Sequence, residues 1–178
     1  VPALLRRVRR LRDDFVASTL KSTEGLGERA ISGRARFLAP NKLEVNGQEL
    51  NAHRVIIVTG SRPIIPAAWQ TFGKRILTTD DLFEQENLPA RMAVIGMGPI
   101  GAEMAQAISR LGIEVVAFNS NQMIGGLTDP QVNATATELM KREFPLYLGE
   151  KADLSAASRG IRVCSKSTEV VVDCVLSA

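Results

Sequence analysis

The six residues Gly96-Met97-Gly98-Pro99-Ile100-Gly101 have the G-x-G-x-x-G spacing of a turn that binds dinucleotide phosphates. The first glycine permits a tight turn out of a strand, the second lets a pyrophosphate approach the backbone, and the third lets the next helix pack closely. The N-terminus of that helix offers free N–H groups and a partial positive charge to the phosphates. The pattern therefore predicts a dinucleotide-binding site, and its alternative is a glycine-rich turn that holds no ligand.

The elements around this motif have the order that such a site needs. Met92–Ile95 is an apolar run that predicts a buried strand before the glycines. Apolar residues at helical spacing predict a helix over Pro99–Leu111, and Glu114–Phe118 predicts a second strand. A strand, a glycine turn, a helix and another strand form the unit of a Rossmann-like parallel sheet.

The choice of coenzyme depends on the residues that follow this second strand. An acidic residue there binds the ribose hydroxyls of NAD, whereas an arginine accepts the extra phosphate of NADP. The sequence offers Asn119 instead, with no cation beside it, in the run Phe118-Asn119-Ser120-Asn121-Gln122. We expect Asn119 to bond the ribose hydroxyls, which favours NAD.

The rest of the chain predicts an α/β protein with a small antiparallel β-meander beside the Rossmann-like sheet. Asn46-Gly47 predicts a tight hairpin turn within that meander. Val55–Val58 is a continuous apolar run, typical of a parallel strand covered on both faces. The other predicted elements are a helix over residues 1–16, strands at Ala30–Leu38, Lys42–Val45, Gln48–Leu50, Ile76–Leu77, Leu146–Leu148, Ile161–Ser165 and Glu169–Leu176, and helices at residues 79–84 and Pro130–Arg142.

Charge and composition argue against several classes of function. Five arginines and two aspartates lie within residues 1–14, a surplus of three that equals the net charge of the whole chain. An arginine face on one amphipathic helix explains this surplus better than a nucleic-acid or membrane surface, which would need a broader basic patch. No apolar run reaches the ~18 residues of a membrane span. We therefore expect no nucleic-acid or membrane partner.

The cysteines and the histidine predict no metal or redox centre. Cys164 and Cys174 are ten positions apart, which is neither a redox Cys-x-x-Cys nor a zinc spacing. His53 is the single histidine of the chain. We expect two structural thiols, no metal ligands, and a reducing cytoplasmic compartment.

Four segments taken together resemble the pyridine nucleotide–disulfide oxidoreductases, and most closely the dihydrolipoamide dehydrogenase branch. These segments occur in family order and are Val55-Ile56-Ile57-Val58-Thr59-Gly60-Ser61-Arg62-Pro63, Leu88-Pro89, Val94-Ile95-Gly96-Met97-Gly98-Pro99-Ile100-Gly101-Ala102-Glu103 and Asp173-Cys174-Val175-Leu176. The resemblance implies FAD and NAD as cofactors. It also implies electron transfer between NAD(H) and a small dithiol or disulfide substrate through FAD. Mercuric or glutathione reductase-like chemistry and a non-catalytic NAD-binding module are the alternatives.

The resemblance also implies roles for particular residues. Thr59, Gly60, Ser61 and the region of Ala35 would contact FAD. The NAD pyrophosphate would be held by Gly96, Gly98, Pro99, Ile100 and Gly101. Glu103 matches a glutamate placed where nicotinamide meets flavin, and its alternative is an ordinary exposed carboxylate. Asn119 stands where NAD-specific members carry Glu.

The family pattern further implies a division of the chain and a limit on its activity. Residues 1–66 would be the C-terminal part of an FAD-binding domain, and residues 67–178 an NAD(P)-binding domain. The family's redox Cys pair, its first G-x-G-x-x-G and its catalytic His–Glu base do not occur in these residues. We therefore expect no catalytic residue here and no disulfide reductase activity from this chain alone, with a homodimer as the assembly of the parent enzyme.

Overall fold

The computed structural model describes residues 1–178, which form two compact units. The larger unit comprises Val1–Arg9 and Pro63–Ala178, and the smaller one comprises Arg10–Arg62. Helix α1 (Pro2–Thr23) begins in the larger unit and continues into the smaller one. The domain limits of 1–66 and 67–178 stay a prediction, and each unit is described by itself.

The smaller unit contains the predicted β-meander. Its strands are β1 (Ala35–Ala39), β2 (Lys42–Val45) and β3 (Gln48–Asn51), paired antiparallel in that order, after a 3-10 segment at Glu24–Arg29. Asn46 and Gly47 have φ values of 52° and 81°, as a two-residue type I′ turn requires. The hairpin prediction is confirmed, although β1 begins five residues later than the predicted strand at Ala30–Leu38.

The predicted strand at Val55–Val58 is wrong. These residues have no regular secondary structure, and Ile56, Ile57 and Val58 are 85%, 68% and 88% exposed. An apolar run becomes a parallel strand only when a neighbouring strand accepts its hydrogen bonds and other elements cover its faces. None of the eleven strands of the chain pairs with this segment.

A five-stranded parallel sheet forms the centre of the larger unit. Its strands are β4 (Ile76–Leu77), β5 (Arg91–Ile95), β6 (Glu114–Asn119), β7 (Leu146–Leu148) and β11 (Cys174–Ser177), in the order β4-β11-β5-β6-β7. The helices are α2 (Thr79–Leu82), α3 (Pro99–Arg110) and α4 (Pro130–Lys141), with a 3-10 segment at Ala67–Arg75. The predicted α/β class with a Rossmann-like sheet is confirmed.

A second, antiparallel sheet contains β8 (Asp153–Ala156), β9 (Ile161–Cys164) and β10 (Glu169–Val172), in the order β8-β9-β10. Strand β8 was not predicted. The single strand predicted at Glu169–Leu176 is also wrong, because the chain leaves this sheet at Asp173 and continues as β11 between β4 and β5. The Asp173 carboxylate accepts a hydrogen bond from the Arg91 N–H at 3.0 Å, so Asp173 fastens the crossing to the start of β5.

Two apolar clusters cover the two faces of the parallel sheet. Alternate strand residues, such as Met92 and Val94, pack against α3 on one face, and Ala93 packs towards β9 and β10 on the other. Leu5 of α1 is buried in the first cluster at 3% exposure, whereas other apolar residues of the predicted helical stripe, such as Leu11 and Phe15, are exposed. None of the helices combines the length and the apolar character needed to cross a bilayer.

Candidate dinucleotide-binding site

The three motif glycines meet three different surroundings. Gly96 ends β5 with φ 102°, and a Cβ there would lie 2.1 Å from the carbonyl oxygen of Ala178. A Cβ on Gly101 would lie 1.8 Å from the Gly96 carbonyl oxygen, so this glycine lets α3 pack on the turn. A Cβ on Gly98 would meet nothing within 4 Å. The space above Gly98 is therefore open where a side chain would otherwise project.

Helix α3 begins beside this open backbone. Gly98 is its N-cap residue, Pro99 occupies the first helical position, and no side chain caps the helix. The N–H groups of the first turn lack intrahelical acceptors and carry the positive end of the helix dipole. An anion is thus the natural partner of this helix end.

A cavity of about 570 Å³ opens at the carboxyl ends of the parallel strands. This volume lies within the range of about 300–1,000 Å³ typical of small-molecule sites, and open α/β sheets bind ligands at this edge. The lining comes from four strand ends and from the segment before β4. The lining residues are Ile64, Pro66, Trp69, Ile95, Gly96, Phe118, Asn119, Ser120, Glu150, Lys151, Ala152, Asp153, Ser177 and Ala178.

The structure brings some of the predicted NAD residues to this cavity. Gly96 and Asn119 line it directly. Gly98, Pro99, Ile100 and Gly101 form the adjoining start of α3, where Ile100 is 53% exposed. Glu103 lies in the next part of α3 and is exposed.

Asn119 is buried to 9% exposure at the end of β6. Its Oδ1 accepts a hydrogen bond from the Met97 N–H at 3.2 Å, which ties the strand end to the glycine turn. The predicted contact of Asn119 with ribose stays untested.

Sequence reasoning missed the charged residues that follow β7. It found no cation beside β6, yet Lys151 lines the same cavity as Asn119 and Ser120. The Glu150 N–H donates to the Asn119 carbonyl at 3.2 Å, which brings this segment against the end of β6. The carboxyl ends of neighbouring parallel strands share one edge, and this rule was the signal that could have found Lys151.

Glu150 is held as a carboxylate at the rim of this cavity. It accepts hydrogen bonds from Ser165 Oγ at 2.7 Å, from Ser167 Oγ at 2.7 Å and from the Ser167 N–H at 3.0 Å. The bonds from Ser165 and then Ser167 hold the pKa of Glu150 below its usual value, and burial opposes this shift. The cavity lining thus carries the carboxylates of Glu150 and Asp153 together with the ammonium group of Lys151.

Both thiols are poorly suited to redox exchange. Burial raises the pKa of Cys174, and the charge of Asp173 acts in the same direction. Burial also raises the pKa of Cys164, whose Sγ contacts a Glu169 carboxylate oxygen at 3.5 Å. Because the thiolate is the reactive form, a raised pKa makes each thiol less reactive than an ordinary cysteine. The two cysteines are free, not joined in a disulfide.

The residues predicted to contact FAD lie in the smaller unit. Ala35 opens β1 and pairs with Val45 of β2. Thr59, Gly60 and Ser61 are exposed and belong to the segment without regular secondary structure, in which Gly60 has φ 71°. Their contact with FAD stays a prediction.

The chain matches one family model and is similar to curated proteins with two different names. The family model described as pyridine nucleotide-disulphide oxidoreductase matches residues 11–178. The dihydrolipoyl dehydrogenase of Thermus scotoductus is 32% identical over 157 residues, and the glutathione reductase of Burkholderia cepacia is 31% identical over 151 residues. Each alignment covers 83% of this chain but only 34% and 33% of the respective relative. The chain thus spans about a third of the length of these curated relatives.

Solved structures share the fold. LpdA from Mycobacterium tuberculosis matches with a TM-score of 0.84 at 24% identity, over 99% of this chain and 42% of that one. The HOCl-induced flavoprotein disulfide reductase RclA from Escherichia coli matches with a TM-score of 0.80 at 20% identity, over 98% of this chain and 42% of that one. The arrangement of strands and helices described above is therefore one that these two proteins also have.

Proposed function

Because the chain belongs to the pyridine nucleotide-disulphide oxidoreductase family, we propose that it is the dinucleotide-binding portion of a flavin-dependent disulfide oxidoreductase. The resemblance predicted from the sequence is confirmed, and membership of the family implies FAD and a nicotinamide dinucleotide as cofactors. In the proposed reaction, electrons pass between NAD(H) and a small dithiol or disulfide through FAD. Residues 1–66 would contribute to the FAD side and residues 67–178 to the NAD(P) side.

The observation that supports this proposal best is the open backbone at Gly98 beside the uncapped start of α3. A pyrophosphate placed there receives N–H groups and the helix dipole without displacing any side chain. The neighbouring cavity then accepts the adenosine half, with Ser120 and Lys151 in its lining. The strand ends thus orient the coenzyme by its phosphates and ribose.

The nicotinamide and flavin rings, when bound, supply the hydride-transfer chemistry. The residues of this chain bind the two cofactors and orient them. Glu103 is proposed to lie where the nicotinamide meets the flavin, and Thr59, Gly60, Ser61 and Ala35 to contact FAD. Dihydrolipoamide-type substrate choice and homodimer assembly belong to the same proposal. So does the lack of disulfide reductase activity in this chain alone, which agrees with the raised pKa values of Cys164 and Cys174.

The test is a titration with NADH that uses the fluorescence of Trp69, the one tryptophan of the chain and a residue of the cavity wall. Gly98→Val fills the open space, and its φ of −64° and ψ of −174° suit a β-branched residue. We expect the variant to weaken NADH binding at least tenfold while the fold is kept. Gly25→Val is the matched control, since a Cβ there also meets nothing within 4 Å. Equal NADH affinity in wild type and Gly98→Val would exclude this phosphate site.

A further inference from the structure

Both N–H donors of the Asn119 side-chain amide are occupied by backbone partners, and its oxygen accepts one backbone N–H. Its Nδ2 donates to the carbonyl oxygens of Asn121 at 3.2 Å and of Met123 at 2.8 Å, while its Oδ1 accepts from the Met97 N–H. A primary amide has two N–H donors. Both are used here, so no N–H of Asn119 is left to donate to a ribose hydroxyl.

These bonds join two segments on which the site depends. Met97 lies between the first two motif glycines, and Asn121 and Met123 lie in the loop that follows β6. The Gly125 N–H donates to the Met97 carbonyl at 2.8 Å, so Met97 is held to this loop by its carbonyl and to the end of β6 by its N–H. At Gly126, an added Cβ would lie 3.3 Å from Pro99 Cγ, so the loop reaches the start of α3.

A second asparagine holds the same loop from the other side. Asn133 of α4 is 8% exposed, and its Oδ1 accepts from the Ile124 N–H at 2.9 Å. Its Nδ2 donates to the Gln122 carbonyl at 3.1 Å. The loop of residues 120–126 is thus held by Asn119 and by Asn133. Its residue Ile124 is buried, at 1% exposure.

We infer that Asn119 is a positioning residue that fastens the loop of residues 120–126 to the glycine turn, and that it is not the group that selects between NAD and NADP. The inference rests on the proposed function, because it concerns how the dinucleotide site is held. Selection then falls to groups that line the cavity and are exposed, such as Ser120 and Lys151.

A carboxylate at residue 119 would consequently act against the site. At the end of the second strand of a Rossmann unit, an acidic side chain ordinarily binds the ribose hydroxyls and disfavours a 2′-phosphate. Here the carboxylate would face the carbonyl oxygens of Asn121 and Met123 with no proton to donate to them. Its negative charge would repel both oxygens. The loop would move away from Met97, and both coenzymes would lose the same contacts.

The experiment compares Asn119→Asp with wild type in titrations with NADH and with NADPH, followed by Trp69 fluorescence. We expect both affinities to fall about tenfold, as the loss of two hydrogen bonds implies, with their ratio unchanged within twofold. Retained or tighter NADH binding, together with a selective loss of NADPH binding, would overturn the inference because a ribose ligand behaves in that way. Asn87→Asp makes the same chemical change at an exposed residue and serves as the control.

Two further variants separate positioning from selection. Asn133→Ala loosens the loop without changing β6, so we expect the same parallel loss of both coenzymes. Ser120→Asp places a carboxylate in the cavity wall and leaves the amide of Asn119 intact, so we expect NADPH to lose affinity more than NADH. The inference fails if Asn133→Ala alters the NADH to NADPH ratio, or if Ser120→Asp leaves this ratio unchanged.

Amide hydrogen exchange gives a readout that needs no coenzyme. Asn119→Asp should speed exchange at Met97 and Gly125, whose bonds depend on the fastened loop, and leave the amides of β5 protected. Unchanged protection at Met97 and Gly125 would overturn the inference. If wild type binds neither coenzyme, the proposed function fails, whereas exchange still decides whether Asn119 fastens the loop.

Discussion

The change Gly101→Ala adds a single methyl group at the most crowded glycine of the motif. Its Cβ would lie 1.8 Å from the Gly96 carbonyl oxygen, whereas real Cβ atoms essentially never approach other heavy atoms within 3.0 Å. The gap must therefore grow by at least 1.2 Å, the difference between these distances. Both sides are backbone, so α3 itself must shift away from β5, along with its buried residues Ala102, Ala105 and Ile108.

Overpacking of this kind costs about 1–3 kcal/mol and occasionally more. Alanine is intrinsically favoured over glycine inside a helix by about 1 kcal/mol, which offsets part of this cost. Because the clash at Gly101 is with backbone and displaces a whole helix, we expect a gross cost above the typical range, about 3–4 kcal/mol, and hence a net loss of about 2–3 kcal/mol. For a protein of this size, that loss lowers Tm by about 5–10 °C.

Urea unfolding monitored by circular dichroism measures this loss, with Gly98→Ala as the matched control. The control adds the same methyl group where nothing lies within 4 Å, and its cost as a helix N-cap stays below about 1 kcal/mol. We expect Gly101→Ala to lower stability and NADH binding together, and Gly98→Ala to leave stability nearly intact. A Gly101→Ala variant as stable as Gly98→Ala would refute the claim that close packing requires this glycine.

Two further predictions concern α1 and the rim of the cavity. Leu5→Ala removes a side chain that is 3% exposed and should lower the free energy of unfolding in urea by about 2–3 kcal/mol. Leu20→Ala, at a position 62% exposed, should change it by less than about 0.5 kcal/mol. Equal effects would contradict the burial of Leu5. Replacing Ser165 and Ser167 by Ala should raise the pKa of Glu150 towards its ordinary value of 4.5, as followed by carboxyl NMR. Because the pKa of Glu150 is depressed in the folded state, the carboxylate stabilises the fold above pH 4.5, and this stabilisation is lost as the pH falls through the lower folded-state pKa. The double variant should therefore lose less stability on acidification than wild type. An unchanged Glu150 titration would contradict this.

The parts of the fold that were predictable are those encoded by neighbouring residues. Asn46-Gly47 adopts its hairpin turn because both residues tolerate positive φ, which requires no distant partner. Asp129 likewise caps α4 by accepting from the Gln131 and Val132 N–H groups, at 2.8 Å and 3.0 Å. Local chemistry decides both features, so the residue types alone were sufficient.

The parts that failed depend on pairing partners elsewhere in the chain. Val55–Val58 has the composition of a buried strand, but composition does not reveal whether any strand is present to pair with it. Glu169–Leu176 reads as one apolar strand, yet its two halves join different sheets on either side of Asp173. The acidic residue inside the run was the available signal, since a carboxylate seldom lies within a strand covered on both faces.

The candidate site shows the same division between local and distant information. The glycine spacing located the turn, but the charges around the cavity come from separate strand ends. Lys151 follows β7, and a search limited to residues beside β6 could not find it. Asn119 lies at the end of β6, but its hydrogen-bond partners could not be inferred because side-chain orientation at a strand end depends on the loops packed over it.

Gly96 illustrates why a local motif is only part of the constraint. Its φ of 102° accounts for glycine from the turn alone. Even a side chain that accepted this φ would still place its Cβ 2.1 Å from the Ala178 carbonyl oxygen, at the residue that follows β11. The first glycine is therefore required twice, by the turn and by the neighbouring strand end. The second requirement exists only once β11 has inserted beside β5, so the sheet order itself restricts which residue can begin the glycine turn.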